Sequence, residues 1–123
     1  MLNAVLKHRF HAGAAAELGF VKMRQNQSAE AMRLLRASLA RSPNLAKAHL
    51  YLGAALTQQG DIAAAEAEYR TADRLAPSDP RPLGARCALL AQNKRVPESE
   101  ALKKELYDRF PEQAPRYITE CRP

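Results

Sequence analysis

Tryptophan is absent from the chain, and aromatic residues of any kind make up only 6% of its 123 positions. A core built from it must rest on alanine and leucine, which suits closely packed helices because small side chains let helix axes approach. Cysteine is nearly absent too: Cys87 and Cys121 make neither a CxxC pair nor a multi-bridge framework. Their expected state is two ordinary thiols in a reducing compartment. No apolar run approaches the ~20 residues a membrane-spanning helix needs. The opening MLNAVLKHRF lacks the unbroken apolar core of a secretory signal. A soluble, cytoplasmic protein is the expectation these absences support.

Catalytic signatures are also missing. There is no Gly-rich phosphate loop, no GxSxG and no HExxH. His8 and His11 stand three apart in KHRFH but have no third ligand, so they make a poor zinc site and are expected to face solvent. His49 falls at a packing position and reads as a partly buried structural histidine. Cys87 reads as a small apolar filler, and Cys121 lies near a fraying end. Glu66 and Glu68 are too close in sequence to share a helix face, so both are expected to be solvated. The expectation is no enzyme, no metal and no cofactor.

Net charge is +6, which raises nucleic acid as a partner, but its distribution argues otherwise. Residues 1–43 carry +5, residues 44–79 carry −2 and residues 80–123 carry +3. Arg33 and Arg36 are helix neighbours, whereas Lys22 and Arg24 belong to a different helix, and no basic run is interleaved with stacking aromatics. Binding to nucleic acid through a basic face of the first third, which also includes Arg41, is thus the weakest of the functional readings.

What the chain does contain is a period. Pro43, Pro77 and Pro111 are each 34 residues apart, and each follows an amphipathic stretch: LLRASLARSP, YRTADRLAP and KKELYDRFP. The same offset superposes Leu18-Gly19 on Leu52-Gly53, Ala31 on Ala65 and Leu35 on Tyr69. Within the middle unit, Ala48, Leu52, Ala55 and Leu56 share one helix face. Gly60 can take a left-handed helix cap, and Asp61 can accept hydrogen bonds from the free N–H groups of the next helix. Ile62, Ala65, Tyr69 and Ala72 make the buried stripe of that second helix. Ser78 or Asp79 can cap a further helix, with Pro80 and later Pro97 tolerated in opening turns. Helices are predicted at about 10–25, 28–41, 45–59, 62–75, 80–92 and 97–109.

The middle unit, AKAHLYLGAALTQQGDIAAAEAEYRTADRLAPSD, resembles a tetratricopeptide repeat along its whole length. It has the Leu52-Gly53 pair, the Gly60-Asp61 turn, the small Ala65, the aromatic Tyr69, then Ala72 and Pro77, with His49 where the family often has tryptophan. Repeat 1 spans about 12–45, with Asn26 replacing the turn glycine; repeat 2 spans about 46–79. Repeat 3, about 80–113, is degenerate, with Arg86-Cys87 at the Leu-Gly site and Ser99 at the small-residue site. The implied fold is all-α: a right-handed α-solenoid of three antiparallel helix pairs, forming one domain over 1–123 with short flanking segments. Residues 114–123 are expected to cap it, with Pro115 keeping any helix there brief. Extending the frame backwards aligns Ala4 with Ser38 and Ala72, which reads MLNAVLKHRF as the end of a helix from a preceding unit.

The resemblance implies a protein-interaction scaffold that receives a peptide or helix in a concave groove lined by the first helix of each pair. Carried over, that groove draws Ala16, Phe20, Met23 and Arg24 from the first unit. The second supplies Lys47, Leu50, Ala54, Thr57 and Gln58, and the third Arg81, Ala88, Ala91 and Gln92. Family members that grip the carboxylate tails of chaperones use lysines, asparagines and an arginine. The matching sites here hold Ala16, Phe20, Tyr51, Arg81 and Ala85, so that clamp is not expected. RLAPSDPRP, with AHLYLGAAL before it, is similar to C-terminal arrays attached to bacterial nucleotide cyclases and transcriptional regulators, which makes a regulatory or oligomerisation domain the alternative. Homo-oligomerisation depends on whether Leu83, Leu89 and Leu90 of the degenerate unit are covered.

Overall fold

The computed structural model describes residues 10–122. Its helices are α1 (Ala12–Arg24), α2 (Ser28–Arg41), α3 (Ala46–Gln58), α4 (Ile62–Leu75), α5 (Arg81–Gln92), α6 (Val96–Arg109) and α7 (Ala114–Ile118). The first six fall within a residue or two of the predicted spans, and α7 is the brief C-terminal helix expected beyond Phe110. The reading of MLNAVLKHRF as a preceding helix, with Ala4 in register, concerns residues that lie outside the described ones except for Phe10.

The 34-residue period is visible in the backbone. Asn26, Gly60 and Lys94 all have positive φ, at 61°, 80° and 63°, and each follows the first helix of a pair. Each is followed by the same closing bond: the N–H of Gln27, Asp61 and Arg95 donates to the carbonyl of Lys22, Leu56 and Leu90 at 2.9, 3.0 and 2.9 Å. This is how a left-handed residue satisfies carbonyls at a helix C-terminus. Asp61 then accepts the Ala64 N–H at 3.3 Å, and Asp79 accepts the Arg81 N–H at 3.0 Å. The second helices also end alike: Ser42, Ala76 and Phe110 have φ of −136°, −135° and −134°, because the proline that follows each disfavours helical angles.

Lysine lacks glycine's freedom at positive φ. Lys94→Gly is therefore expected to raise stability by about 0.5–1 kcal/mol, and Gly60→Ala to lower it by about 1 kcal/mol. Urea denaturation followed by circular dichroism measures both, and a neutral Gly60→Ala would show that the second turn tolerates the added methyl.

Small residues set the spacing within pairs. A methyl added at Gly53 would lie 2.5 Å from Tyr69 Cε1, and one at Gly19 would lie 2.7 Å from Leu35 Cγ. In both units the partner stands sixteen residues later, so the first two pairs close in the same way. Ala31, Ala65, Ser38 and Ala72 complete these seams at 0% exposure. The pairs then stack, α2 on α3 and α4 on α5. First helices approach in series, α1 to α3 and α3 to α5, while the backbones of successive second helices stay farther apart, which curves the array toward the first-helix side. Stack position decides burial: Leu52 and Ala55 are 3% and 0% exposed beneath the pair before them, whereas their counterparts Leu18 and Val21 are each 46% exposed. Arg109 binds the second unit to the third, donating to Asp73 at 2.8 and 2.9 Å and to the Pro77 carbonyl at 2.9 Å.

The third pair closes differently, and two expectations about its cysteines are corrected there. Cys87 and Cys121 are not free thiols: they form a disulfide, with Cα atoms 5.3 Å apart across 34 residues of sequence. Cys121 is not at a frayed end either, since it is 0% exposed. The reason is the return of the chain after Phe110, which lays α7 against α5 and α6. Tyr117 sits on Gly84, where an added methyl would meet its ring at 2.5 Å. Leu83 and Leu90 are consequently covered, at 1% and 0% exposure, while Leu89, at 2%, packs into the core of the preceding units, so the apolar face that would have favoured self-association is not open.

Glu66 is the third correction. It is 8% exposed rather than solvated, and its carboxylate accepts from Arg86 at 3.0 Å and Arg70 at 3.1 Å, with Arg95 at 3.5 Å. Burial alone would raise its pKa, but the surrounding arginines hold it below the usual carboxylate range. Glu68 is not freely solvated: its Oε1 lies 2.7 Å from Nδ1 of His49, whose Nε2 donates to the Pro43 carbonyl at 2.8 Å. His49 is the part-buried structural histidine expected of it. His11 is exposed, and its Nδ1 caps α1 by accepting the Ala14 N–H at 3.0 Å; His8 lies outside the described residues.

Candidate interaction groove

Two adjoining cavities open on the first-helix side. The larger, about 280 Å³, is lined by Phe20, Leu50, Tyr51, Ala54, Tyr69, Arg81 and Ala85. The smaller, about 210 Å³, is lined by Thr57, Tyr69, Ala85, Ala88, Leu89, Gln92 and Glu120. Tyr69 and Ala85 belong to both, so the two form a continuous depression across α1, α3 and α5 with the C-terminal segment at its end.

The larger cavity is a consequence of helix register. Phe20 of α1 and Tyr51 of α3 stack with ring centroids 4.6 Å apart, and Leu50 and Ala54 lie on neighbouring positions of α3. Tyr69 reaches this side because Gly53 leaves room for its ring, and its hydroxyl ends 3.3 Å from Thr57 Oγ1. Its burial raises the phenol pKa above the usual value.

Charged side chains border the larger cavity. Lys47 Nζ lies 2.9 Å from Glu17, and the Lys47 hydrogen bond is the chief cause holding that carboxylate below its usual pKa. Arg24 lies over the Phe20 ring, 5.8 Å from its centroid. Arg81 is paired with Asp79 at 2.8 Å. Burial would raise the pKa of Asp79, but hydrogen bonds from Arg81 lower it, and the guanidinium is stabilised in return.

Seven of the residues expected in the groove meet there: Phe20, Leu50, Ala54, Thr57, Arg81, Ala88 and Gln92. Ala16 and Ala91 are corrected, being 0% exposed and turned into helix contacts. Met23 packs on the core, Arg24 and Lys47 form the rim, and Gln58 donates to the Met23 carbonyl at 2.8 Å, tying α3 to α1. Sequence reasoning did not place Tyr51, Tyr69, Ala85 or Glu120 in the groove. Tyr51 and Ala85 were nonetheless at the sites matched to the chaperone-tail clamp, where an apolar and aromatic cavity stands instead.

A third cavity, about 340 Å³, lies on the second-helix side between Ala63, Glu66, Ala67, Arg70 and Arg95. Its arginines are already engaged by Glu66, and Arg95 also binds Glu98. Among the described residues no group of three histidine, cysteine, aspartate or glutamate side chains could hold a metal, and no helix is long and apolar enough to cross a membrane.

Stacked helix pairs with a groove along their first helices define a helical-repeat solenoid. The family model for the tetratricopeptide repeat matches residues 22–86, more than half of the chain, and the chain belongs to that family. Such repeats are in general protein–protein interaction modules. No curated protein matches the chain.

Proposed function

We propose that the protein is an interaction scaffold that holds a short peptide segment or helix face in the groove along α1, α3 and α5. The observation that carries this reading is the apolar 280 Å³ cavity between Phe20, Leu50, Tyr51 and Ala54, large enough for one bulky side chain and open at the surface. Apolar anchoring would supply most of the affinity, while Arg24, Lys47 and Arg81 influence encounter rate and salt dependence. A carboxylate clamp is disfavoured because Arg81, the one cation among the cavity's lining residues, is already held by Asp79. Nucleic-acid binding is disfavoured because the basic face of the first third is broken up: Arg33 is paired with Glu30, and Arg24 and Arg41 lie over the Phe20 and Phe10 rings.

Affinity capture on the immobilised full chain, comparing Ala54→Arg with Ala63→Arg, tests the reading. Ala54 is half-buried in the larger cavity and Ala63 is exposed on the opposite side. Polypeptides held by the wild type are expected to be lost from Ala54→Arg, with affinity at least ~10-fold weaker by calorimetry, a loss of about 1.4 kcal/mol. They are expected to remain on Ala63→Arg. The reverse pattern would move the binding surface to the second-helix side.

A further inference from the structure

We propose that the C-terminal end of the groove is an acidic subsite held by the Cys87–Cys121 disulfide, which selects a peptide carrying lysine or arginine beside a large apolar residue only while the disulfide is intact. This rests on the groove being the binding surface. Glu120 is the one charged residue lining the 210 Å³ cavity, and among the described residues it takes part in no ion pair. By contrast Glu17 and Asp79, at the other end, are neutralised by Lys47 and Arg81. An unpaired carboxylate bordering an apolar depression attracts a cation, and desolvation of the neighbouring surface by a bound peptide strengthens the attraction. The larger cavity shares Tyr69 and Ala85 with the smaller one, so a single short segment reaches both.

Glu120 occupies that position because of its neighbour. Cys121 is bonded to Cys87 of α5, and both cysteines are 0% exposed. Beyond the disulfide the segment is held by one short helix: α7 has five residues, of which Ala114 is buried, Tyr117 rests on Gly84 and Ile118 packs at the edge of the third unit's core. Pro115, Arg116, Thr119 and Glu120 are exposed. A segment with so few contacts opens locally at far less cost than the whole fold, and such opening gives a reductant access. A thiolate of a dithiol attacks one sulfur and the Cys87–Cys121 bond breaks to a mixed disulfide. The second thiol of the reductant then closes a ring, leaving the reductant as a disulfide and both cysteines as thiols, with two electrons and two protons transferred. Once released, Glu120 is no longer fixed at the cavity. The larger cavity persists, because its Phe20, Leu50, Tyr51 and Ala54 belong to α1 and α3.

Panning a random dodecapeptide phage library on the immobilised full chain tests this in three forms: oxidised, reduced with dithiothreitol, and oxidised Glu120→Gln. The oxidised wild type is expected to enrich peptides pairing one large apolar residue with Lys or Arg at a preferred spacing, the basic residue at least 3-fold over the input library. Reduction and Glu120→Gln are each expected to abolish the basic preference and keep the apolar one. Because Glu120→Gln retains the disulfide, it separates loss of the carboxylate from any loosening of the third unit. Basic enrichment that survives Glu120→Gln, or that survives reduction verified by alkylation of both cysteines, overturns the proposal while leaving the groove reading intact. Failure of any form to enrich peptides overturns the groove reading and the proposal together.

Discussion

Tyr69→Ala is expected to lower the stability of the protein by about 3–5 kcal/mol, the range for deleting a buried aromatic ring. Tyr69 is 4% exposed, and its ring fills the space left by Gly53 between α3 and α4. The facing residue has no side chain, so nothing can collapse into the void, which places the loss toward the upper end. The same substitution removes the wall common to the two groove cavities and merges them. Adding Gly53→Ala to Tyr69→Ala should recover part of the loss, because the new methyl enters the vacated volume. In the wild-type background that methyl would meet Cε1 at 2.5 Å and destabilise instead. Urea denaturation of the four variants in a double-mutant cycle measures the coupling, and additive effects would contradict the contact.

Tyr69→Phe separates the hydroxyl from the ring. At neutral pH the loss should stay within about 1 kcal/mol, since only the Thr57 hydrogen bond is removed. At alkaline pH the sign is set by burial, which raises the folded-state pKa of the phenol above its unfolded value. The stability this provides is fully present below about pH 10, the unfolded value, and is lost as pH rises through the folded one. Wild-type stability should therefore fall more steeply than that of Tyr69→Phe above that pH.

Cys121→Ala is the second large effect, with an expected loss of about 2–4 kcal/mol. The bond closes a loop between positions 34 residues apart, and in the chain-entropy account the closure restricts the unfolded ensemble. The loss should concentrate in the third unit, whose core comprises Leu83, Leu90, Leu102, Leu106 and Phe110 together with the two cysteines. Thermal denaturation with and without dithiothreitol checks it. Reduction should lower the wild-type transition and leave Cys121→Ala unchanged, and equal transitions for oxidised and reduced wild type would deny the bond any role in stability.

Much of the fold could be read one-dimensionally because its determinants are local and recur. Proline at 43, 77 and 111 ends a second helix in each unit, and Asn26, Gly60 and Lys94 turn the chain after each first helix. Of these turn residues the glycine and asparagine announce themselves by type; lysine does not, and only its place in the frame marks it. The groove was legible to a lesser degree. First-helix positions such as Phe20, Leu50, Ala54 and Ala88 follow from the resemblance to the repeat family, but Ala16 and Ala91, carried over in the same way, are buried by neighbours whose approach depends on packing. Tyr69 escaped assignment because it belongs to a second helix, and it enters the groove only through the gap at Gly53.

The sequence alone determined the class of the protein: 34-residue units, antiparallel pairs and small residues at the seams. These follow from backbone preferences and side-chain size, which act within a few residues of where they are written. The tertiary structure alone decided which charges are buried and which cysteines meet. Glu66 is enclosed by Arg86 and Arg95 from the next unit, and Cys121 reaches Cys87 because α7 folds back across α5. Both depend on the path of the chain between distant positions, and no local preference encodes that path. The acidic end of the groove at Glu120 belongs to the same category, set by where the last turn of the chain comes to rest.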